Sequence, residues 1–255
     1  MPRHLLPREH GAYAELGFPL VSGLVLGSPG VVSWLFALAA ILVFVAHEPL
    51  AILAGIRGKR MQQELGVVAR RRVAILGVLG AAAGLAAMGL ASTPVRWLAL
   101  IPVAIAAGLV PVMLAKNLKT LAGEMIAAAA FSTMHLPVAA AAGVAGAALW
   151  GPPVMWFGVT VSATLAVHAI KSRVTGAKPW ILPAAAWTAR AALAAALGIW
   201  AWLPDARFVA MAACLPLAAV VVVNRLALSP RKLKHLGWAL VAANALAVAL
   251  LSAAS

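Results

Sequence analysis

Apolar residues run along this chain in long blocks separated by short polar breaks. A block of about 20 such residues is what a helix needs to cross hydrocarbon about 30 Å thick. Blocks of this kind occupy residues 14–30, 31–54, 73–92, 97–115, 120–147, 149–169, 180–203, 208–224 and 234–253. No stretch shows the strict alternation of a half-buried strand, so the pattern predicts an all-α, polytopic membrane helix bundle with about nine transmembrane helices. The first block is short and the fifth is long, which makes eight the competing count. The connections are too short for a linker or a second domain, and residues 1–255 read as a single transmembrane domain. The first apolar block leads directly into the others, with no small-residue cleavage site, so no cleavable leader is expected.

Composition sharpens the class. The 255 residues are 64% hydrophobic and 10% charged, and mean hydropathy is +1.01. A soluble domain carries about a quarter charged residues, so a water-facing surface cannot be built from this chain. In lipid, helices satisfy their own backbone polar groups. The formal charge of +14 would suit nucleic acid, but the cations lie between apolar blocks and fit anionic lipid headgroups instead. Nucleic acid is therefore excluded as a partner. The lone Cys214 rules out a disulfide framework within the chain.

The distribution of cations predicts orientation. With the amino terminus in the cytoplasm, one side of the membrane carries Arg3, Arg8, Arg57, Lys59, Arg60, Arg70, Arg71, Arg72, Lys116, Lys119, Lys171, Arg173, Lys178, Arg225, Arg231, Lys232 and Lys234. The other side carries Arg96 and Arg207, and Arg190 lies within a block. Basic residues on short loops stay cytoplasmic, which predicts a multi-pass protein with its amino terminus in the cytoplasm and its carboxyl terminus outside. Trp34, Trp97, Trp150, Trp180, Trp200 and Trp202 fall near block ends, where amphipathic rings favour the interface. Gly23-xxx-Gly27 and Gly80-xxx-Gly84 predict close helix approach.

Ionisable groups within or beside spans carry the candidate chemistry, because each costs on the order of 3 kcal/mol to insert at the centre of a span. Glu15, His47, Glu48, Glu124, His168, Lys171 and Arg225 all belong to the cytoplasmic ends of their spans, so one polar layer beneath that surface is expected. His168 and Lys171, three residues apart, share a helix face. Glu48, His47, His168 and Glu15 are the acid–base candidates. His10, Arg57, Lys119, Glu124, Lys171, Arg173, Arg190 and Arg225 are the candidate substrate contacts. Snorkelling to headgroups and helix-locking ion pairs are the competing explanation for the same residues. Arg190, at mid-span, should face the interior or water. His135 reads as a hydrogen-bonded core residue, with Pro137 freeing a backbone carbonyl to accept its proton. The basic stretch Ile56 to Arg72 reads as the longest connection, either attracted to headgroups or capping the cytoplasmic opening.

Two resemblances follow. Leu6-Pro7-Arg8-Glu9-His10-Gly11-Ala12-Tyr13, with His47-Glu48-Pro49-Leu50 and the basic residues after it, resembles the YwiC-like family of bacterial membrane proteins. That likeness implies residence in the bacterial cytoplasmic (inner) membrane and no particular reaction. The layout of spans, with cytoplasmic caps after the second and sixth, resembles UbiA-type intramembrane prenyltransferases, a UbiA-like arrangement. Those enzymes hold a prenyl diphosphate through magnesium on Asp-rich motifs. Here the matching stretches contain His47-Glu48-Pro49-Leu50 and His168-Ala-Ile-Lys171-Ser-Arg173, and the one Asp is Asp205 on the far side. Magnesium favours carboxylate oxygens, so a degenerate scaffold without metal or other cofactor is expected. The leading function is binding of an isoprenoid, quinone-like or other anionic-headed membrane lipid, with catalysis left open. A small-molecule or ion transporter and a non-catalytic assembly partner are the alternatives. Haem ligation by paired His is a minor one, and no protein partner is specified.

Overall fold

The computed structural model describes residues 10–176, 178–226 and 229–253. Among these, the secondary structure is helical throughout: α1 (His10–Val25), α2 (Val31–Leu53), α3 (Lys59–Leu90), α4 (Thr93–Leu114), α5 (Leu121–Thr133), α6 (His135–Ala141), α7 (Gly146–Thr175), α8 (Ile181–Trp202), α9 (Arg207–Arg225) and α10 (Leu233–Ser252). Eight units are long and apolar enough to cross a membrane, with α5 and α6 counted as one. The chain is thus a multi-pass membrane protein by length and composition. The 16-residue α1 is about 24 Å long at 1.5 Å per residue, shorter than the others.

Two expectations are revised. The fifth block is a broken helix: Met134 separates α5 from α6. Pro137 explains the break, since it has no N–H for the carbonyl of Thr133 and its ring crowds that oxygen. The basic stretch after α2 is no loop. The connection is a tight turn, and Lys59 to Arg72 are the first part of α3, whose 32 residues extend about 48 Å. Gly55 and Gly58 make the turn at φ +70° and +95°, where a Cβ would be strained. Beyond it, Lys, Arg, Gln, Glu and Leu favour helix whether or not they are apolar.

Proline and glycine set the core around α1, which packs against α2, α5, α6, α7 and α10. A Cβ on Gly23 would lie 3.1 Å from the Val138 side chain, and one on Gly27 only 2.5 Å from the Ala142 carbonyl. The glycines therefore let α1 and α6 approach closely. Ser28 N–H donates to Ala142 O at 3.0 Å, tying the same ends together. These contacts make α1 parallel to α5–α6, while α7 runs the opposite way, with Ala148 near His135 and His168 near Glu124. Tyr13 meets Phe44 with ring centroids 5.1 Å apart, placing the end of α2 beside the start of α1. Arg173 donates to Asn224 O at 2.9 Å and Asn224 Nδ2 donates to Ala185 O at 3.2 Å. The C-terminal ends of α7 and α9 and the start of α8 therefore meet at one level.

By contrast, α3 packs mainly against α2 and lies at the edge. Its flank carries the outward residues Ile75, Val78 and Leu85, as expected of a lipid-facing surface.

Candidate functional site: two acid–base pairs and a basic depression

The acidic residues are paired rather than pooled. Glu48, one residue before Pro49 in the last turns of α2, is 1% exposed. Arg57, in the turn, is positioned to reach back: its Nε donates to Glu48 Oε1 at 2.9 Å and its Nη2 to Oε2 at 2.5 Å. This fork-to-carboxylate geometry is the strongest arrangement available to the pair, and it closes the α2–α3 hairpin. His47 beside it is half-buried, as is Glu15 on α1, and both are engaged in interactions of their own.

The second pair joins helices distant in sequence. His168 Nε2 lies 2.6 Å from Glu124 Oε2, with side chains 21% and 35% exposed. Glu124 is brought to that position by a cap at the start of α5. Thr120 Oγ1 accepts from Gly123 N–H, as an N-cap should. Gly123 also has no room for a Cβ, which would lie 2.5 Å from Asn117 O. The two pairs have different surroundings, as α2 packs on α1, α3 and α6 while α7 packs on α1, α5, α6, α8 and α9.

Beside His168 an open depression of about 100 Å³ is lined by His168, Lys171, Ser172, Thr175, Lys178 and Ile181. Lys171 and His168 share this wall as their spacing predicts. Neither Glu15 nor Glu48 is in its lining. The shape is held by Ser172, buried under the connection. Its hydroxyl donates to Lys178 O at 2.9 Å and accepts from Lys178 N–H at 3.2 Å, while Gly176 ends α7 in the left-handed conformation at φ +65°. Lys171, Lys178 and Thr175 thus line an opening next to a His–carboxylate pair, with Thr175 Oγ1 donating to Lys171 O at 3.2 Å. That chemistry suits an anionic oxygen group.

The remaining candidates are dispersed. Lys119, Arg173 and Arg225 are exposed at the same end, and Arg173 caps the carbonyl of Asn224. The side chain of His10 and the segment Pro7-Arg8-Glu9 lie outside the described residues. Arg190 departs from its expectation. It is exposed on the outer face of α8, and its guanidinium lies 5.8 Å from the ring centroid of Trp187, also outward. Hydropathy places a residue along a span without saying which way it faces, and the neighbours that fill the interior here are Ala185, Ala189 and Ala196.

His135 is a core residue, fully buried, but its acceptor differs from the expected one. Its Nε2 faces Ala148 O at 3.3 Å, a carbonyl left free because Pro152 lacks the N–H that would bond it in α7. A carbonyl only accepts, so Nε2 carries the proton. Nδ1 is then an acceptor 3.0 Å from Ser22 Oγ, whose one hydroxyl proton it shares with Pro19 O at 2.8 Å. Trp156 Nε1 donates to the same Ser22 oxygen at 3.0 Å. Sequence reading did not single out Ser22 or Trp156. A Ser in an apolar helix and a Trp away from the interfaces were the available signals.

Among the described residues no group of three or more His, Cys, Asp or Glu side chains is arranged to hold a metal ion. No curated protein and no solved structure matches the chain. The profile described as YwiC-like protein matches residues 6–139, which is 134 of 255 residues and takes in Glu48, Arg57, Glu124 and His135 but stops short of α7. By that match over more than half its length, the chain is a member of the YwiC-like family.

Proposed function

We propose that this protein binds an anionic-headed membrane lipid, of isoprenoid or quinone-like type, with its head in the depression at the end of α7. The observation that supports this is the meeting of Lys171, Lys178 and Thr175 beside the Glu124–His168 pair. A volume of about 100 Å³ suits a phosphate-sized group. It is well below the roughly 300 Å³ at which drug-sized pockets begin, so the apolar tail lies along the outer helix surface. In this reading Glu124 orients His168, whose imidazole is the group able to exchange a proton with the bound head.

The same proposal includes an orientation. The basic ends of the helices face the cytoplasm in a bacterial inner membrane, α1 is a ninth crossing within one transmembrane unit, and the carboxyl terminus is outside. The α2–α3 and α7–α8 connections take the places of the two caps in a UbiA-like layout. Without Asp-rich motifs, binding rather than magnesium-dependent transfer is the activity assigned.

Native mass spectrometry of the protein purified in mild detergent tests this. Wild type should retain acidic lipid adducts, and Lys171→Gln with Lys178→Gln should lose most of them while remaining folded. Equal adducts in both would remove the basis of the proposal.

A further inference from the structure

α8 carries its own depth gauge. Trp180 precedes its first turn, and Trp200 and Trp202 end it, all outward. The 20 residues from Trp180 to Trp200 span about 30 Å, the thickness of the hydrocarbon, so the two aromatic belts pin the helix in depth. Arg190 is ten residues from each and thus at the midplane. Sliding the helix cannot relieve it, because one belt would then be drawn into hydrocarbon and the other out into water.

The guanidinium faces outward over Trp187, which is seven residues, or about 10 Å, below the level of Trp180. Among the described residues it has no hydrogen bond or ion pair. A charged group in such a place requires a partner. This chain's described acids are placed elsewhere: Glu48 holds Arg57, Glu64 holds Arg60 and Glu124 holds His168. Glu15 lies in the second turn of α1, and Asp205 lies beyond the end of α8. The described residues of a second copy therefore offer no uncommitted carboxylate at mid-depth, since Glu15 is half-buried and engaged within its own chain. A lipid phosphate would have to sink about 10 Å below the aromatic belt to reach the site. On the outward face that Arg190 shares with Trp187, Ala191 and Ala194 are exposed, and small residues let another helix come close.

We propose that the outer face of α8 around Arg190 docks a transmembrane helix of a different protein, one that presents a carboxylate at mid-depth. The guanidinium forms the ion pair, Trp187 stacks above it, and the Ala positions give the close approach. This interface is separate from the depression at the end of α7 and does not depend on a lipid being bound there.

The test uses the full-length protein in phosphatidylcholine vesicles, with a photo-crosslinking p-benzoylphenylalanine at Ala194. The probes are synthetic Leu/Ala transmembrane peptides with a central Glu, a central Leu, or a Glu moved two turns from the centre. The central-Glu peptide should crosslink at least tenfold more than the other two. Arg190→Gln should abolish that preference, and Arg190→Lys should keep part of it. As the side chain is on the outer surface, the thermal unfolding of Arg190→Gln should match wild type, so a loss of crosslinking reports docking rather than folding. Equal crosslinking of the Glu and Leu peptides, or a Glu preference that survives Arg190→Gln, would overturn the proposal. Either result would leave lipid phosphate as what serves Arg190.

Discussion

Arg57 stands nine residues beyond Glu48 and takes both oxygens of its carboxylate, at 2.9 and 2.5 Å. Glu48 is almost wholly enclosed, whereas Arg57 is about a quarter exposed. Removing the cation strands a buried charge, and removing both charges does not. Arg57→Gln should therefore destabilise by about 3–5 kcal/mol, and the added change Glu48→Gln should restore a good part of that loss. Thermal unfolding of the two variants in one detergent measures it. If the double variant is no more stable than Arg57→Gln, the pair is not the lock of the α2–α3 hairpin.

The hydrogen bond from His135 to Ala148 O depends on a proline in a different turn of α7. Pro152→Ala would supply an N–H to that carbonyl and give it a helical partner. His135→Ala should then cost less in the Pro152→Ala background than in wild type, with a coupling on the order of 1 kcal/mol. Ser22→Ala, which removes the shared hydroxyl, should cost about 1–3 kcal/mol. Independent effects of the His135 and Pro152 changes would show that Ala148 O is satisfied some other way.

Gly17 and Gly27 make opposite demands. Nothing lies within 4 Å of a Cβ on Gly17, whereas one on Gly27 would meet the Ala142 carbonyl at 2.5 Å. Gly17→Ala should be neutral or stabilise by up to about 1 kcal/mol through helix propensity. Gly27→Ala should lose roughly 1–3 kcal/mol, as overpacking does. The melting temperatures of the two variants should move in different directions.

Orientation can be read by labelling. In a Cys214→Ala background, a cysteine at Gln63 on the extended part of α3 should react with an impermeant maleimide only from the cytoplasmic side. A cysteine at Asp205 should react only from the opposite side. Reversed labelling would invert the topology, and same-side labelling would mean an odd number of crossings is miscounted between the two positions.

Much of this was legible in the sequence, for identifiable reasons. Apolar blocks are long and their boundaries are marked by cations and prolines, so eight of the nine blocks correspond to helices of membrane-spanning length, with α1 shorter. Hydropathy misled at residues 59–72, because a polar helix and a polar loop look alike to it. Helix propensity was the better guide there, as Gln62, Gln63 and Glu64 favour helix. The spacing of His168 and Lys171 placed them on one wall correctly, since i and i+3 positions share a face. Arg190 was beyond reach because its direction depends on which neighbours cover α8. The pairing of Glu124 with His168 depends on how α5 meets α7, a long-range contact that no local pattern encodes.

The central claim is that the basic depression recognises a charged lipid head. The direct measurement is a titration of the full-length protein in nanodiscs with an isoprenyl phosphate and with the corresponding uncharged isoprenol. Wild type should bind the phosphate at least tenfold more tightly than the alcohol, and Lys171→Gln with Lys178→Gln should bring the two affinities together. Equal affinity for phosphate and alcohol in wild type, or a phosphate preference untouched by the double substitution, would contradict the account.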